Sequence, residues 1–362
     1  MTDRLAVALL FGGRSSEHSI SCATAAGVLT AIDREKYEVI PVGITSDGAF
    51  TLQPDDAALF ALNAESMPTV HDNGTRIHWP ESASTRELTV TENGETRSLG
   101  DVDLVFPILH GPWGEDGTIQ GMLELVDLPY VGSGVLASSL GMDKHFTKSV
   151  LQQAGIPVAP WRTVTAYEWH TDPDAVRASA ADLGLPAFVK PARAGSSVGV
   201  SKVNDWAELG LAIDIAFAED DRVLIESALV GREVEIAVLG GRPGQATRAS
   251  VAGEIVISGR DFYDFDAKYL GAPGIDLVCP ADLTAEELAT MQELAVTAFD
   301  AIGGEGLARV DFFLTADGFV INEINTMPGF TPISMFPRCW QESGLGYPAL
   351  IDELISVALA RA

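Results

Sequence analysis

Residues 307–329 read Leu307-Ala308-Arg309-Val310-Asp311-Phe312-Phe313-Leu314-Thr315-Ala316-Asp317-Gly318-Phe319-Val320-Ile321-Asn322-Glu323-Ile324-Asn325-Thr326-Met327-Pro328-Gly329. Two short apolar runs, 307–314 and 319–325, flank a Thr-Ala-Asp-Gly turn, the pattern of a β-hairpin. Side chains alternate along a strand, so Arg309 and Asp311 share one face, as do Glu323 and Asn325. A three-residue loop, 316–318, with Gly318 in the left-handed position sets Thr315 opposite Phe319, Asp311 opposite Glu323 and Arg309 opposite Asn325. A two-residue loop would slip the pairing and put the partners on opposite faces. The three-residue register gathers two carboxylates and an amide oxygen, a donor set that suits Mg2+ or Mn2+. Carboxylates held this close repel unless a cation sits between them. The usual fate of such residues is a solvated polar face, but these strands are otherwise strongly apolar and run into the tight turn at Thr326-Met327-Pro328-Gly329.

Upstream of the hairpin, 284–302 reads as a helix, with Thr284 as N-cap and Glu287 completing a capping box. Residues 258–274 are aromatic and Gly-rich without a clear period, which predicts a mobile loop. Residues 223–226 and 232–239 read as strands, and Glu226 and Glu233 are acidic points in an apolar setting. Residues 186–190 form another strand, ending at Lys190 and running into the small-residue loop from Pro191 to Gly199. Backbone N–H groups in such a loop can close on phosphate oxygens, with the lysine as a point charge beside them; taken alone, the stretch reads more readily as an ordinary flexible turn. Residues 142–154 read as a helix carrying Lys144 and stopped by Gly155 and Pro157.

The N-terminal part opens with a buried parallel strand at 5–11, ended by Gly12-Gly13, then a helix at 19–32 and a strand at 37–44. This β–loop–α–β start is α/β, with a ligand loop at the C-terminal end of a strand. Residues 46–100 are polar and turn-rich and read as an insertion or a peripheral decoration. The core resumes with a strand at 102–109, a helix at 117–126 and a short strand at 128–131.

The whole chain has 362 residues, enough for two or three domains. Its net charge of −28 rules out attachment to nucleic acid or to an anionic membrane by bulk charge. That charge serves solubility, with adaptation to a salty cytoplasm as the alternative. No run approaches the ~18 apolar residues of a membrane helix, and the N-terminus lacks signal-peptide character, so a cytoplasmic location is expected. Cys22, Cys279 and Cys339 are scattered, and the six histidines show no zinc spacing.

Several other chemistries are excluded. No G-x-x-x-x-G-K-[ST] stretch occurs, so this is not a P-loop protein. Gly195-Ser196-Ser197-Val198-Gly199 matches the nucleophile elbow of α/β-hydrolases, but that fold needs a histidine after the serine and the last one here is His170. A dinucleotide-binding oxidoreductase would fit the β–Gly-Gly–α start, yet G-x-G-x-x-G is missing and the hairpin would go unexplained.

Six stretches in order resemble the ATP-grasp superfamily and, within it, the D-alanine–D-alanine ligases. They are Gly12-Gly13-Arg14-Ser15-Ser16-Glu17, His110-Gly111-Pro112-Trp113-Gly114-Glu115-Asp116-Gly117, Lys190-Pro191 with its Gly-Ser-Ser loop, Asp266-Ala267-Lys268-Tyr269, Arg309-Val310-Asp311 and Glu323-Ile324-Asn325-Thr326-Met327-Pro328-Gly329. The resemblance spans nearly the whole chain. It implies a three-domain α/β ATP-grasp architecture: an N-terminal parallel-sheet domain over 1–140 with its insertion at 46–100, and two α+β subdomains, 141–226 and 227–362, that sandwich ATP.

The resemblance also implies roles. Two D-alanines would be joined through an acyl phosphate, for peptidoglycan precursor synthesis. Glu17 would hold the ammonium of the first D-alanine, and His110 would line its pocket. Ser196 and Tyr269 would complete a hydrogen-bonded triad with Glu17, tying the 258–274 loop over the site. Lys144 and Lys190 would bind ATP phosphates, Lys268 the γ-phosphate, and Glu226 and Glu233 adenine and ribose. Asp311, Glu323 and Asn325 would bind two Mg2+, with Mn2+ able to substitute. Arg309 and the Gly329 amide would meet the tetrahedral oxyanion, and Ser334 the second substrate's carboxylate. A homodimer is implied. Ala192, Ala194 and Phe330-Thr331-Pro332 depart from the common pattern, in loop detail only. A D-alanine–D-lactate or other D-alanine-X ligase is the alternative, and Tyr269 favours D-alanine.

Overall fold

The computed structural model describes residues 4–62, 67–257 and 274–361. The first sheet is built on β1 (Leu5–Gly12), whose central side chains are inaccessible on both faces, as parallel strands covered on both sides require. After α1 (His18–Ala31) come β2 (Tyr37–Ile44), β3 (Phe50–Leu52), β4 (Arg76–His78), β5 (Glu87–Glu92), β6 (Glu95–Asp101) and β7 (Leu104–Ile108), followed by α2 (Thr118–Leu125) and α3 (Val135–Met142). The strand order is β3-β2-β1-β7, with β2 and β7 parallel to β1 and β3 antiparallel at the edge. β1 stops at Gly12, where φ is +89° and a Cβ would stand 2.4 Å from the carbonyl oxygen of Ile44. Only glycine fits there.

Residues 46–100 are more than a decoration. β3 extends the first sheet, and β4-β5-β6 form a three-stranded antiparallel sheet of their own. Leu88 and Val90 are fully buried and pack with Ile77 against Leu10 and Val42 of the first sheet. Two inward residues on β5 are too few to show a period, and β6 is exposed almost throughout. Residues 128–131 do not form a strand: Tyr130 makes one isolated bridge to Val105.

The second sheet follows α4 (Lys144–Gln153). It comprises β8 (Trp161–Thr165), β9 (Ala187–Pro191), β10 (Ser201–Val203) and β11 (Arg222–Ser227), with α5 (Ala166–Thr171), α6 (Pro173–Ala181) and α7 (Leu209–Phe217) between them. All its pairs are antiparallel, in the order β10-β9-β11-β8. The third sheet has the order β14-β13-β12-β15-β16. It contains β12 (Arg232–Leu239), β13 (Arg248–Ile257), β14 (Ile275–Val278), β15 (Leu307–Thr315) and β16 (Gly318–Asn325), and its helices are α8 (Ala285–Ala301), α9 (Met335–Glu342) and α10 (Tyr347–Leu359).

α8 starts at the expected capping box: Thr284 Oγ1 accepts the Glu287 amide at 3.2 Å and Glu287 Oε2 accepts the Thr284 amide at 2.7 Å. Its inner face meets β12 and β15 through Met291, Phe299, Ile236 and Val310, joined by Leu151 of α4. The sheet's other face shares a core with the first sheet: Phe336 of α9 and Leu350 and Leu354 of α10 pack with Val7, Leu9 and Phe106. The C-terminal helices therefore clamp the first sheet to the third.

The hairpin reaches the expected register by a different route. Asp311 pairs with Glu323 and Arg309 with Asn325, but Thr315 pairs with Gly318. The loop thus has two residues, Ala316 and Asp317. The slip this causes is cancelled by a β-bulge: Phe312 pairs with Ile321 while Asp311 pairs with Glu323, leaving Asn322 as the extra residue. A bulge inserts one residue on one strand and shifts its phase, which returns Glu323 and Asn325 to the face of Asp311.

Candidate active site

The polar face of the hairpin looks into a cavity of about 160 Å³ lined by Arg309, Glu323, Asn325, Gly329 and Ser334 from the third sheet's side, and by Glu17 and His110 from the first. Beside it lies a cleft of about 340 Å³ between the second and third sheets, lined by Lys144, Lys190, Glu226, Glu233, Asp311 and Glu323. Glu323 belongs to both walls.

Arg309 Nε and Nη2 donate to the two oxygens of Asp311 at 2.7 and 2.8 Å, and Nε lies 3.2 Å from Glu235 Oε2. Glu235 comes from β12, where it pairs with Asp311. Burial works against the guanidinium's charge, but the two carboxylates outweigh it and hold its pKa well above the ordinary value. Asn325 Nδ2 donates to Asp311 Oδ2 at 3.0 Å. The group offers oxygen donors alone, from Asp311, Glu323 and the Asn325 amide, which fits a hard divalent cation. Among the described residues no three His, Cys, Asp or Glu side chains cluster as a metal cage.

At the opposite wall, Ser196 Oγ donates to Glu17 Oε1 at 2.6 Å across 179 residues. Ser196 and Ser197 hold φ at +49° and +59°, a strained region for residues with a Cβ that recurs at ligand sites. Glu17 stands just before α1 and is buried. The Glu17–Ser196 half of the expected triad is therefore formed, whereas Tyr269 and Lys268 lie outside the described residues, as does 258–273 as a whole.

His110 is buried, with Nδ1 3.1 Å from the Met327 carbonyl oxygen. Burial holds its pKa below the usual imidazole range against the pull of Glu17 and the Met327 carbonyl. Ser334 stands at the N-cap position of α9 without a side-chain capping bond, and its Oγ lies 2.7 Å from Thr331 Oγ1. In the cleft, Lys144 Nζ donates to the Ala194 carbonyl at 2.7 Å and Lys190 Nζ to Glu226 Oε1 at 2.9 Å. Glu233 projects from β12 two residues before Glu235, so both share a face.

Three residues join this constellation without having been singled out. Glu115 accepts the Gly111 amide at 2.6 Å and the Met327 amide at 3.2 Å, linking the first sheet's loop to the turn that carries Gly329. Burial and the charge of Glu17 push its carboxyl up to about 8. It sits inside the 110–117 stretch, which was legible, but its role depends on a partner 212 residues away. Glu235 could have been found from its alternation with Glu233. Lys148, one helical turn beyond Lys144, is buried against Glu226.

The chain matches two family models, D-ala D-ala ligase N-terminus over residues 6–133 and D-ala D-ala ligase C-terminus over residues 150–356. It is 54% identical over 365 residues to a D-alanine–D-alanine ligase of Paenarthrobacter aurescens, covering 100% of this chain and 97% of the relative. It is 51% identical to that of Kocuria rhizophila, covering 99% and 95%. Among solved structures it is similar to the VanG D-Ala:D-Ser ligase of Enterococcus faecalis, with TM-score 0.85 and 34% identity over 98% of this chain and 100% of that one. The D-alanine–D-alanine ligase of Coxiella burnetii gives TM-score 0.82 and 34% identity over 99% and 95%.

Proposed function

The chain belongs to the D-alanine–D-alanine ligase family, and from that premise we propose that it joins two D-alanine molecules into D-alanyl-D-alanine, with ATP as co-substrate, by way of an acyl phosphate. The dipeptide serves peptidoglycan precursor synthesis. One observation carries this reading: Glu323 lies in the wall common to the substrate cavity and the nucleotide cleft, so the γ-phosphate and a substrate carboxylate can meet over one hairpin face.

A carboxylate is a poor electrophile, so its oxygen first attacks the γ-phosphorus and ADP leaves. The chemistry a divalent ion would supply here, when bound, is neutralisation of the charge on the transferring phosphoryl group. Asp311, Glu323 and Asn325 would hold it; Mg2+ is the ion expected, two in number, with Mn2+ able to take its place. Lys144 and Lys190 steady the phosphates, Lys268 would be the lysine for the γ-phosphate, and Glu226 and Glu233 take adenine and ribose. Glu17 holds the first ammonium while His110 lines its pocket. The second amine then attacks the acyl carbon and phosphate leaves. Arg309 and the Gly329 amide meet the charge that develops on oxygen. Ser334, at the N-terminus of α9, takes the second carboxylate, an end that favours anions. Ser196 ties the glycine loop to Glu17, and Tyr269 would extend that tie to the 258–274 loop, keeping water from the acyl phosphate.

The finer organisation follows the same reading. The chain divides at about 140 and 226, supported by sheets that fall at 5–108, 161–227 and 232–325. It acts as a homodimer in the cytoplasm. No helix among the described residues is long and apolar enough to cross a membrane. A D-serine or D-lactate acceptor is the second reading; the first is the acceptor named for the VanG enzyme.

Phosphate release from ATP tests the function. With a divalent metal it should require D-alanine and ignore L-alanine. Release indifferent to D-alanine, or none with it, would overturn the proposal.

A further inference from the structure

Glu226 is a carboxylate with a cation on each oxygen. Lys190 Nζ stands 2.9 Å from Oε1 and Lys148 Nζ 2.9 Å from Oε2. The two lysines are not equivalent. Lys190 lines the nucleotide cleft and its side chain is 15% exposed. Lys148 is 2% exposed, packs inward from α4 with Trp161 5.8 Å away, and is not among the cleft's lining residues. A buried lysine costs free energy unless something needs its charge there.

What needs it is Glu226, which is 4% exposed on its side chain. When a nucleotide draws Lys190 onto its phosphates, Glu226 is left in a buried setting with Lys148 as its counter-ion. Burial alone pushes the Glu226 carboxyl up; Lys190 and Lys148 together reverse this and hold it below the ordinary carboxylate range, so each lysine favours the ionised form. The difference matters for base recognition. An ionised carboxylate only accepts hydrogen bonds, whereas a protonated one can also donate. An acceptor suits the exocyclic amine of adenine and rejects a carbonyl at the same ring position.

We propose that Lys148 is a positioning residue for purine selection: from behind the cleft it keeps Glu226 ionised and aimed, so that the site accepts a 6-amino purine and refuses a 6-oxo purine. This rests on the reading that Glu226 meets the adenine edge. It acts through Glu226 and touches neither nucleotide nor D-alanine.

The test compares ATP with ITP, which carries oxygen in place of the amine, in the full chain. Lys148→Met should raise KM for ATP by about tenfold, the scale of one hydrogen bond to a charged group. It should shrink the ATP-over-ITP preference in kcat/KM by a similar factor, with kcat for ATP within about twofold and KM for D-alanine unmoved. Lys148→Arg should recover part of the preference. Glu226→Gln should also collapse it, and adding Lys148→Met to Glu226→Gln should change it no further. Should Lys148→Met fail to fold, Lys148→Gln carries the same expectation. If Glu226→Gln leaves the preference intact, the reading of Glu226 as the base contact falls. If Glu226→Gln collapses the preference while the Lys148 variants retain it, the role of Lys148 alone is refuted.

Discussion

Arg309 answers to two carboxylates, Asp311 and Glu235, and its replacement can separate charge from geometry. Lysine keeps the charge but cannot make the bidentate contact. Arg309→Lys should lower kcat by about a hundredfold, the scale of one lost oxyanion donor, with a melting temperature close to the wild type in calorimetry; a near-normal kcat would remove Arg309 from the reacting carbonyl. Glu323→Gln should abolish D-alanine-dependent phosphate release and leave the circular dichroism spectrum unchanged, and an active variant would take Glu323 out of the metal site. Glu115 gives a pH signature. Its carboxyl titrates near 4.5 when unfolded and about 8 when folded. Between these values the folded state keeps a proton that the unfolded state has lost. The stability it contributes is therefore fully present below the unfolded value and is lost as pH rises toward 8. Glu115→Gln should flatten that fall in urea midpoints measured across the window, and equal slopes in the two proteins would contradict the assignment.

At the scale of the element, the hairpin shows what sequence reasoning reaches and where it stops. Alternation placed Arg309 with Asp311, and the pairing of Asp311 with Glu323 is as expected. The loop length was not legible, because Thr-Ala-Asp-Gly serves a two-residue or a three-residue turn. A signal for the bulge was present: Phe319 and Ile321 are buried two apart, but the next buried residue, Ile324, comes three later. Deleting Asn322 should restore strict alternation and keep Glu323 opposite Asp311. That variant should retain D-alanine-dependent phosphate release well above Glu323→Gln; equal inactivity would mean that Asn322 does more than set the phase. The glycine loop is the converse case. Its composition fits an ordinary flexible turn as well as a phosphate loop, and its left-handed serines and the bond from Ser196 to Glu17 come from chain packing 179 residues apart.

At the scale of the molecule, the N-terminal sheet, the hairpin and the long helix were readable because each carries its own period. The core that joins first and third sheets was not, since it brings α10 at the end of the chain against β1 at its start. Leu354 is fully buried in that core. Leu354→Ala should cost about 3 kcal/mol in denaturant unfolding, the usual range for such a cavity. A loss below about 1 kcal/mol would show that the C-terminal helix is not part of the core. The central claim is that the cleft and the cavity meet so that ATP activates a substrate carboxylate, and an isotope traces it directly. With D-alanine labelled by 18O in both carboxylate oxygens, each dipeptide formed from ATP should release one phosphate carrying one 18O atom, the other oxygen staying in the peptide carbonyl. Dipeptide formed with unlabelled phosphate would contradict the account.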